Sequence, residues 1–222
     1  MAKITVALVF GGRSSEHEIS CVTAGGVLGA IDRDKYHVIP VGVTGDGAFV
    51  LEADDPARFT FGAELPRVHD NGTRILWPDS AASRELRVVE ADGRVRSLGS
   101  VDVAFPILHG RFGEDGTIQG MFELLDLPYV GNGVLASSVG MDKHFTKTVL
   151  ASAGLAVAPG VTVSRTDRGA GALRAGVEAL GLPLFVKPAR AGSSVGVTKV
   201  SALADLDAAL DVALAEDDKA LI

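Results

Sequence analysis

The chain has 222 residues, of which 47% are hydrophobic and 22% charged, and its formal net charge is −7. Such a chain can bury a substantial core as one large or two small domains. The acidic balance argues against bulk attraction to nucleic acid or to an anionic membrane, so any phosphate site must be a local basic patch. Cys21 is the single cysteine, which excludes an intrachain disulfide and favours a reducing compartment.

The first 43 residues predict a β-α-β unit. Residues 4–10 form a continuous apolar run, typical of a strand buried on both faces, and a glycine pair then turns the chain. A helix over residues 16–32 and a strand over residues 36–43 follow, with a right-handed crossover expected. The opening run is too short to cross a membrane and shows no small-residue cleavage site, so we expect a cytoplasmic protein.

Residues 48–100 differ in character from what precedes them. They contain scattered prolines, short β-like pieces and a predicted hairpin turned at residues 91–93. This composition predicts an excursion inserted between core strands. The core is expected to resume with a buried strand over residues 101–108, a helix for which Thr117 supplies the cap, and a short strand over residues 127–130.

A second alternation of helices and strands begins near residue 141. The pattern predicts helices over residues 143–153 and 170–180 and a third that Ser201 caps, with strands over residues 157–163, 184–187 and 197–200. A last apolar run starts at residue 220 and stops at Ile222, which suggests a fragment of a longer protein.

The loop after the first strand is the first candidate site. It contains the sequence GGRSSEHE at residues 11–18, where open α/β sheets bind ligands beyond the carboxyl ends of their strands. Glu16 and Glu18 both open the following helix, so each could simply complement the helix dipole. We favour that interpretation for Glu18, whereas Glu16 is equally well placed to reach a ligand.

The loop HGRFGEDG at residues 109–116 is the second candidate site. It carries a histidine, an arginine, two acids and three glycines directly after a predicted buried strand. A turn with helix-capping acids would explain part of this composition. A metal site is the weaker alternative, because one histidine beside adjacent acids lacks a diagnostic ligand spacing. Substrate binding, with His109 in the site, is the preferred interpretation.

The third candidate site would hold phosphate. Lys187 ends an apolar run, and the small residues Gly192, Ser193, Ser194 and Gly196 follow it. Backbone amides and hydroxyls of small residues can close over an anion, although no Walker A sequence occurs in the chain. Lys143, at a helix start, could supply a second cation. A G-x-G-x-x-A match at residues 131–136 lacks the acid expected ~20 residues later, which argues against NAD.

Taken together, these segments resemble the D-alanine–D-alanine ligase family of ATP-grasp enzymes. The matching stretches are GGRSSEHEIS (11–20), HGRFGEDGTIQGMFELLDLPYVG (109–131), ASSVGMDK (136–143) and VKPARAGSSVGV (186–197). The resemblance implies an α/β fold in two parts. Residues 1–140 would be an N-terminal doubly wound parallel-sheet domain that binds substrate, and residues 141–222 would be the incomplete start of an ATP-grasp domain.

The resemblance also implies a reaction of peptidoglycan synthesis. ATP would phosphorylate the carboxylate of one D-alanine, and the amine of a second would attack the acyl phosphate. Glu16 would hold the ammonium group of the first D-alanine, His109 would line that subsite, and Ser193 would hydrogen-bond Glu16, which makes Glu16 and Ser193 the catalytic pair. The residues assigned to ATP phosphates and the loop above them are Lys143, Lys187, Ser193 and Ser194.

Further expectations follow from the resemblance alone. Mg²⁺ or Mn²⁺ is implied, with ligands beyond Ile222, so no metal ligand is assigned in this chain, and the 222-residue chain alone is expected to be inactive. The family also implies a homodimer without nucleic-acid or membrane partners. The alternatives left open are a D-alanine–D-lactate ligase, which shares all four stretches, a non-catalytic nucleotide-binding module, and an NAD-dependent enzyme.

Overall fold

A computed structural model describes residues 2–166 and 171–222 of the chain. The chain divides into two compact units, Met1–Ser137 and Ser138–Ile222. Each unit has its own sheet and its own cluster of buried apolar side chains. The two units are therefore described separately.

The first unit is built on a four-stranded sheet. Its strands and those of a smaller sheet are β1 (Ile4–Gly11), β2 (Tyr36–Val43), β3 (Phe49–Leu51), β4 (Arg74–Leu76), β5 (Glu85–Val89), β6 (Val95–Ser100) and β7 (Val103–Pro106). Its helices are α1 (His17–Ala30), a 3-10 helix (Pro56–Phe59) and α2 (Thr117–Leu124), and the boundary between the two units falls within α3 (Val134–Met141). The large sheet has the order β3-β2-β1-β7, in which β2, β1 and β7 are parallel and β3 is antiparallel to β2.

Both faces of the central strand β1 are buried, as the sequence predicted. Leu8 and Phe10 pack with α1 and the 3-10 helix on one face, whereas Ala7 and Val9 pack with α2 on the other. All four side chains are fully buried. The doubly wound α/β fold is therefore confirmed. The strand expected over residues 127–130 is reduced to one parallel bridge between Tyr129 and Ala104.

The segment 48–100 is more than an excursion. Its first strand, β3, extends the main sheet, and its later strands form a separate antiparallel sheet of order β4-β5-β6 that includes the predicted hairpin. Leu86 and Val88 of β5 are fully buried in the same apolar cluster as Val9 of β1. The segment thus covers one face of the main sheet, which explains why its apolar positions are alternate rather than continuous.

The cap expected at Thr117 is wrong. Thr117 is the first helical residue of α2, and Gly116 before it takes the cap position with a φ of 91°. The side chain of Asp115 accepts a hydrogen bond from the backbone amide of Thr117 at 3.1 Å. The acid two residues earlier therefore satisfies the exposed amide that the threonine hydroxyl was expected to serve.

The second unit consists of an antiparallel sheet and the helices around it in the chain. Their bounds are α4 (Lys143–Ser152), β8 (Thr162–Ser164), α5 (Gly171–Leu180), β9 (Leu184–Pro188), β10 (Thr198–Val200), α6 (Leu206–Glu216) and β11 (Lys219–Leu221). The four strands have the order β10-β9-β11-β8, every pair is antiparallel, and buried leucines of α6 pack against the sheet. The strand expected over residues 157–163 is shorter than predicted, and the helix expected from Ser201 begins only after a 3-10 turn at Leu203–Asp205.

The start predicted for α5 at residue 170 lies outside the described residues. Within the described ranges, no helix is both long enough and apolar enough to span a bilayer.

Candidate active site

A buried serine joins the ends of two neighbouring parallel strands in the first unit. Ser20 on α1 accepts a hydrogen bond from the amide of Gly11 at 2.9 Å and donates one to the carbonyl of Ile107 at 2.7 Å. Gly11 ends β1, and Ile107 directly follows β7. The two loops that leave these strands therefore begin from a fixed separation at the carboxyl edge of the sheet.

A second serine joins the loops themselves. The hydroxyl of Ser14 donates to the carbonyl of His109 at 2.7 Å and accepts from the amide of Glu16 at 3.2 Å. The loop after β1, which carries Glu16, is thus attached to the loop after β7, which carries His109. The contact with His109 could not be read from the sequence, because 95 positions separate the two residues.

The buried side chain of His17 holds the base of the first loop. Its Nδ1 lies 2.6 Å from the carbonyl of Gly12, and its Nε2 lies 3.0 Å from the amide of Val68. Since an amide can only donate, Nε2 must accept and Nδ1 must carry the proton. His17 is therefore a structural residue that fixes the loop before Glu16.

The carboxylate of Glu16 lies directly over Gly110, the residue after His109. A Cβ atom on Gly110 would lie 2.7 Å from Glu16 Oε2 and 3.3 Å from the Cβ of Ser14. Gly110 also has a φ of 70°, a conformation that other residues rarely adopt. The structure thus places Glu16 beside the loop of His109, as the sequence predicted for one subsite. The absence of a side chain at Gly110 is what allows this close contact.

The ring of His109 is oriented by α1. Its Nε2 lies 3.2 Å from the hydroxyl of Thr23, and that hydroxyl donates its single proton to the carbonyl of Ile19 at 2.9 Å. The hydroxyl must therefore accept from His109, which places the proton of the ring on Nε2. Nδ1 is then the acceptor nitrogen in the neutral form.

We expect Gly110→Ala to damage this subsite beyond its effect on the backbone. The methyl group would displace the Glu16 carboxylate, at a backbone cost of about 1–2 kcal/mol. If this is the D-alanine subsite that the sequence resemblance implies, D-alanine affinity should also fall about 10-fold or more. Isothermal titration with D-alanine and urea unfolding would measure the two effects.

Gly93→Ala is the matched control for this change. Gly93 has a φ of 86°, but a Cβ atom there would meet nothing within 4 Å. The control should therefore lose similar stability and keep its D-alanine affinity. Equal affinities in the two variants would contradict the contact between Gly110 and Glu16 as the cause.

The two acids of the 109–116 loop stabilise its backbone by accepting hydrogen bonds from amides of the same loop. Glu114 Oε2 accepts from the amide of Gly110 at 2.7 Å, and Asp115 Oδ2 accepts from the amide of Phe112 at 2.9 Å. Phe112 has a φ of 69°, so these bonds stabilise an otherwise unfavourable turn. Glu18, in the first turn of α1, forms an ion pair with Arg67 at 2.8 Å, which adds a second structural role to its place near the helix dipole.

In the second unit, the start of α4 is attached to the loop that follows β9. The backbone amide of Lys143 donates to the carbonyl of Ala189 at 3.0 Å. Its Nζ donates to the carbonyl of Ala191 at 2.5 Å and to that of Ala189 at 3.4 Å. The ammonium group predicted to bind phosphate therefore lies against the loop predicted to cover phosphate.

Asp142 organises the turn before Lys143. It is the N-cap of α4, where its Oδ1 accepts from the amides of His144 at 3.0 Å and Phe145 at 3.2 Å. Its other oxygen accepts from Lys219 Nζ at 2.5 Å, and the side chain is almost wholly buried. Asp142 was absent from the predicted site, although the N-cap preference for aspartate was a usable signal.

The loop after β9 is anchored by an ion pair whose carboxylate is buried. Asp217 Oδ2 accepts from the backbone amide of Arg190 at 2.8 Å, and its Oδ1 is paired with the guanidinium of the same residue. Burial raises the pKa of Asp217, but the hydrogen bonds from Arg190 outweigh burial, so that pKa is lowered. The guanidinium group of Arg190 is thus paired with Asp217, and this pair fixes one end of the loop.

The tip of this loop has an unusual backbone. Ser193 and Ser194 have φ values of 47° and 60°, and both side chains are exposed. Gly196 closes the turn, where a Cβ atom would lie 2.8 Å from Pro188 Cγ. Non-glycine residues held in the left-handed region cost of order 1–3 kcal/mol and concentrate in ligand-binding loops.

Two lysines of this unit repel one another. The pKa of Lys143 is lowered, first by burial and then by the charge of Lys187, whereas Asp142 and Asp217 act weakly in the opposite direction. A pair of partly buried like charges is unfavourable without an anion between them. The two lysines therefore lie near enough to influence one another, as expected of residues predicted to serve one phosphate site.

Known proteins resemble this chain over nearly all of its length. A sequence model of the D-ala D-ala ligase N-terminus matches residues 5–132, and one of the D-ala D-ala ligase C-terminus matches residues 149–222. The chain belongs to the D-alanine–D-alanine ligase family. Among curated relatives, a D-alanine–D-alanine ligase of Paenarthrobacter aurescens is 53% identical over 98% of this chain, and one of Pseudarthrobacter chlorophenolicus is 52% identical over 99%.

Solved structures of the family have the same fold. The D-Ala:D-Ser ligase VanG of Enterococcus faecalis matches 99% of this chain with a TM-score of 0.81 and 33% identity. The D-alanine–D-alanine ligase of Coxiella burnetii matches all of it with a TM-score of 0.79 and 31% identity. The chain spans only 58–62% of the length of these curated relatives and solved ligases.

The structure groups the predicted site residues into two sets. Glu16 and His109 lie together in the first unit, and Lys143 lies against the Lys187–Gly196 loop in the second. Sequence reasoning missed the residues that position them. Among these, Thr23 follows the helical spacing of α1, but Ser14 and Ser20 act through long-range contacts that no local pattern reveals.

Proposed function

We propose that this chain forms the first D-alanine subsite and part of the ATP site of a D-alanine–D-alanine ligase of peptidoglycan synthesis. The observation that carries the proposal is the Glu16 carboxylate held over Gly110, one residue from His109, at positions that match the family. A carboxylate suits the ammonium group of an amino acid. On this proposal, residues 1–140 form the substrate domain and residues 141–222 the beginning of the ATP-grasp domain.

The two lysines would serve the phosphates of ATP. Phosphorylation of a carboxylate brings several negative charges together, so the reaction needs fixed cations and precise positioning. Lys143 and Lys187 supply two such charges, and the amides and hydroxyls of Ser193 and Ser194 would close over the phosphates. Ser193 would also hydrogen-bond Glu16 and so connect the two substrates. The acyl phosphate would then be attacked by the amine of the second D-alanine.

The divalent metal of the family does not fit the residues at hand. Across residues 2–166 and 171–222, no group of three or more His, Cys, Asp or Glu side chains is placed to hold a metal ion. No step is therefore assigned to Mg²⁺ or Mn²⁺ on these residues. On the family pattern, the ligands of the metal would come from sequence that follows Ile222.

The second substrate is not determined by these residues. VanG, which matches nearly the whole chain, is named a D-Ala:D-Ser ligase. The sequence resemblance also leaves a D-alanine–D-lactate ligase open. D-alanine is proposed as the second substrate because the curated relatives near 50% identity carry that name. We further propose a cytoplasmic homodimer without nucleic-acid or membrane partners, in line with the net charge of −7.

A chimera tests the function directly. Residues 1–222 would be joined to the remaining C-terminal part of the Paenarthrobacter aurescens relative, of which this chain covers 58%. The chimera should release ADP only when D-alanine is present and should form D-alanyl-D-alanine, detected by mass spectrometry. The 222-residue chain alone should bind ATP without releasing ADP.

The outcomes separate the alternatives. Exclusive ester formation when D-alanine and D-lactate compete would favour the depsipeptide ligase. A folded chimera that binds ATP but releases no ADP would favour the non-catalytic module, and tighter binding of NAD than of ATP would favour a dehydrogenase. ADP release by the 222-residue chain alone would overturn its expected inactivity.

A further inference from the structure

A pocket lies in the first unit on the α2 side of the sheet. It encloses about 250 Å³ at the carboxyl ends of β1 and β2 and the start of α2. Its apolar floor is formed by Val43, Phe49, Leu108, Ile118 and Met121. Glu16 does not line it, and neither does any other aspartate or glutamate of the described chain. The pocket therefore differs from the amino-acid subsite, which needs a carboxylate for the ammonium group.

Two arginines stand at the mouth of this pocket. Arg13 and Arg111 both line it, and their guanidinium carbons lie 4.7 and 5.0 Å from the ring centroid of Phe112. Stacking on an aromatic ring fixes a guanidinium group and leaves its in-plane N–H donors available. Among the residues that the structure describes, neither arginine is ion-paired with a carboxylate.

Local backbone features keep these arginines in place. A Cβ atom on Gly47 would lie 2.9 Å from the Cδ of Arg13, so a glycine leaves room for that side chain. Gly113 packs so closely on Leu108 that a Cβ atom there would lie 2.4 Å from the leucine Cβ. Phe112, which both arginines contact, is held in its left-handed conformation by Asp115. The mouth of the pocket is thus a fixed arrangement of two cations around one ring.

We propose that this pocket binds a small organic anion whose apolar body fills the floor and whose carboxylate or phosphate faces Arg13 and Arg111. Two cations with no acid among the lining residues select for negative charge, and they disfavour a zwitterion because its ammonium group would find no partner. The volume is below that of drug-sized sites, so the ligand is a fragment-sized molecule. His109 also lines the pocket, whereas Glu16 does not.

The single tryptophan of the chain provides the readout. The Trp77 ring lies 5.7 Å from that of Phe49, which lines the pocket, and 5.6 Å from that of Phe122. Titration with 3-phenylpropionate should change Trp77 fluorescence saturably, with a Kd of roughly 0.1–1 mM for a ligand of this size. Ligand-detected NMR would measure the same binding independently. 3-Phenylpropan-1-ol and 3-phenylpropylamine should bind at least about 10-fold more weakly.

Charge variants distinguish a site from general attraction. Arg13→Met combined with Arg111→Met should weaken 3-phenylpropionate about 10-fold or more and leave the alcohol unchanged. Arg94→Met combined with Arg96→Met removes the same charge from the β5–β6 hairpin, where both arginines are already ion-paired, and should have no effect. Comparison of 3-phenylpropionate with 2-phenylethyl phosphate would identify the preferred anion.

Three results would overturn the proposal. They are equal binding of the alcohol and the acid, equal loss in the two double variants, and no saturable signal by either method up to about 10 mM ligand, a weak limit even for a fragment. Equal binding of the alcohol and the acid would mean that the pocket is an apolar cavity without anion selectivity. Equal loss in the two double variants would mean that binding of the acid follows the overall charge of the protein. None of these measurements depends on ligase activity, so failure here and failure of the proposed function are distinguishable.

Discussion

Replacement of Glu16 by glutamine is expected to lower kcat/KM for D-alanine by about 100-fold or more in the active chimera, because truncating one partner of a buried charge pair costs about 2–5 kcal/mol. Glutamine keeps the shape of the side chain over Gly110 but removes the charge that would hold the ammonium group. The KM for ATP should change little, since the lysines assigned to ATP lie in the other unit. Initial rates at varied D-alanine and ATP would give both values.

Glu18→Gln is the control for this variant. Glu18 is two positions away on the first turn of α1 and is paired with Arg67, so its loss removes the same charge without touching the subsite. We expect less than about a 3-fold change, because partly exposed ion pairs contribute up to about 1 kcal/mol. If Glu16→Gln behaved like Glu18→Gln, the assignment of the first subsite would be wrong.

Replacement of Lys187 by methionine should weaken ATP binding by about 10- to 100-fold, the usual worth of a hydrogen bond to a charged group. The same change should not destabilise the ligand-free protein, because it removes the charge that helps to lower the pKa of Lys143. Loss of ligand affinity without loss of stability is typical of a binding site whose charged residues repel one another in the ligand-free protein. Equilibrium dialysis with ATP and urea unfolding would measure the two quantities.

The pH dependence of this effect has a definite sign. The folded pKa of Lys143 lies below its unfolded value, so between the two the unfolded state binds more protons and stability rises with pH. In Lys187→Met the pKa of Lys143 in the folded protein should move back toward its ordinary value. The increase of folding stability at alkaline pH should therefore be smaller than in the unchanged protein. Lys199→Met, an exposed change on β10, should alter neither ATP affinity nor the pH profile. An unchanged alkaline rise in Lys187→Met would contradict the coupling of the two lysines.

The central strands could be predicted from sequence because burial on both faces leaves an uninterrupted apolar run. The strand at residues 36–43 has the predicted bounds, and β1 is longer than predicted by one residue. At the edge of the described sheet, an apolar run does not predict a strand reliably. Residues 127–130 looked like a strand but make a single bridge through Tyr129, because the hydrogen bonds of a short edge segment depend on its neighbour rather than on its own composition.

The residues of the candidate site that carry charge or can titrate were predictable from the sequence. The residues that hold their loops in place were not. Glu16 and His109 were recognisable because charged or titratable side chains occupied glycine-rich loops after buried strands. The contacts of Ser14 and Ser20 that fix those loops join residues 87 or more positions apart, so only the folded chain reveals them. The cap at Thr117 was mispredicted because the positive φ of Gly116 and the carboxylate of Asp115 replaced it.

The position of β1 between β2 and β7 has a consequence for the order in which the molecule assembles. Pairing of Val6 with Val38 closes a loop about one third as long as the contact between Thr5 and Asp102, which are 97 residues apart. Loop-closure entropy then favours the β1–β2 pair by roughly 1 kcal/mol in the early chain. The loop of Glu16 would form with that pair, and the loop of His109 must wait until residues 48–100 have folded and β7 has docked. The amino-acid subsite would therefore be completed late in folding.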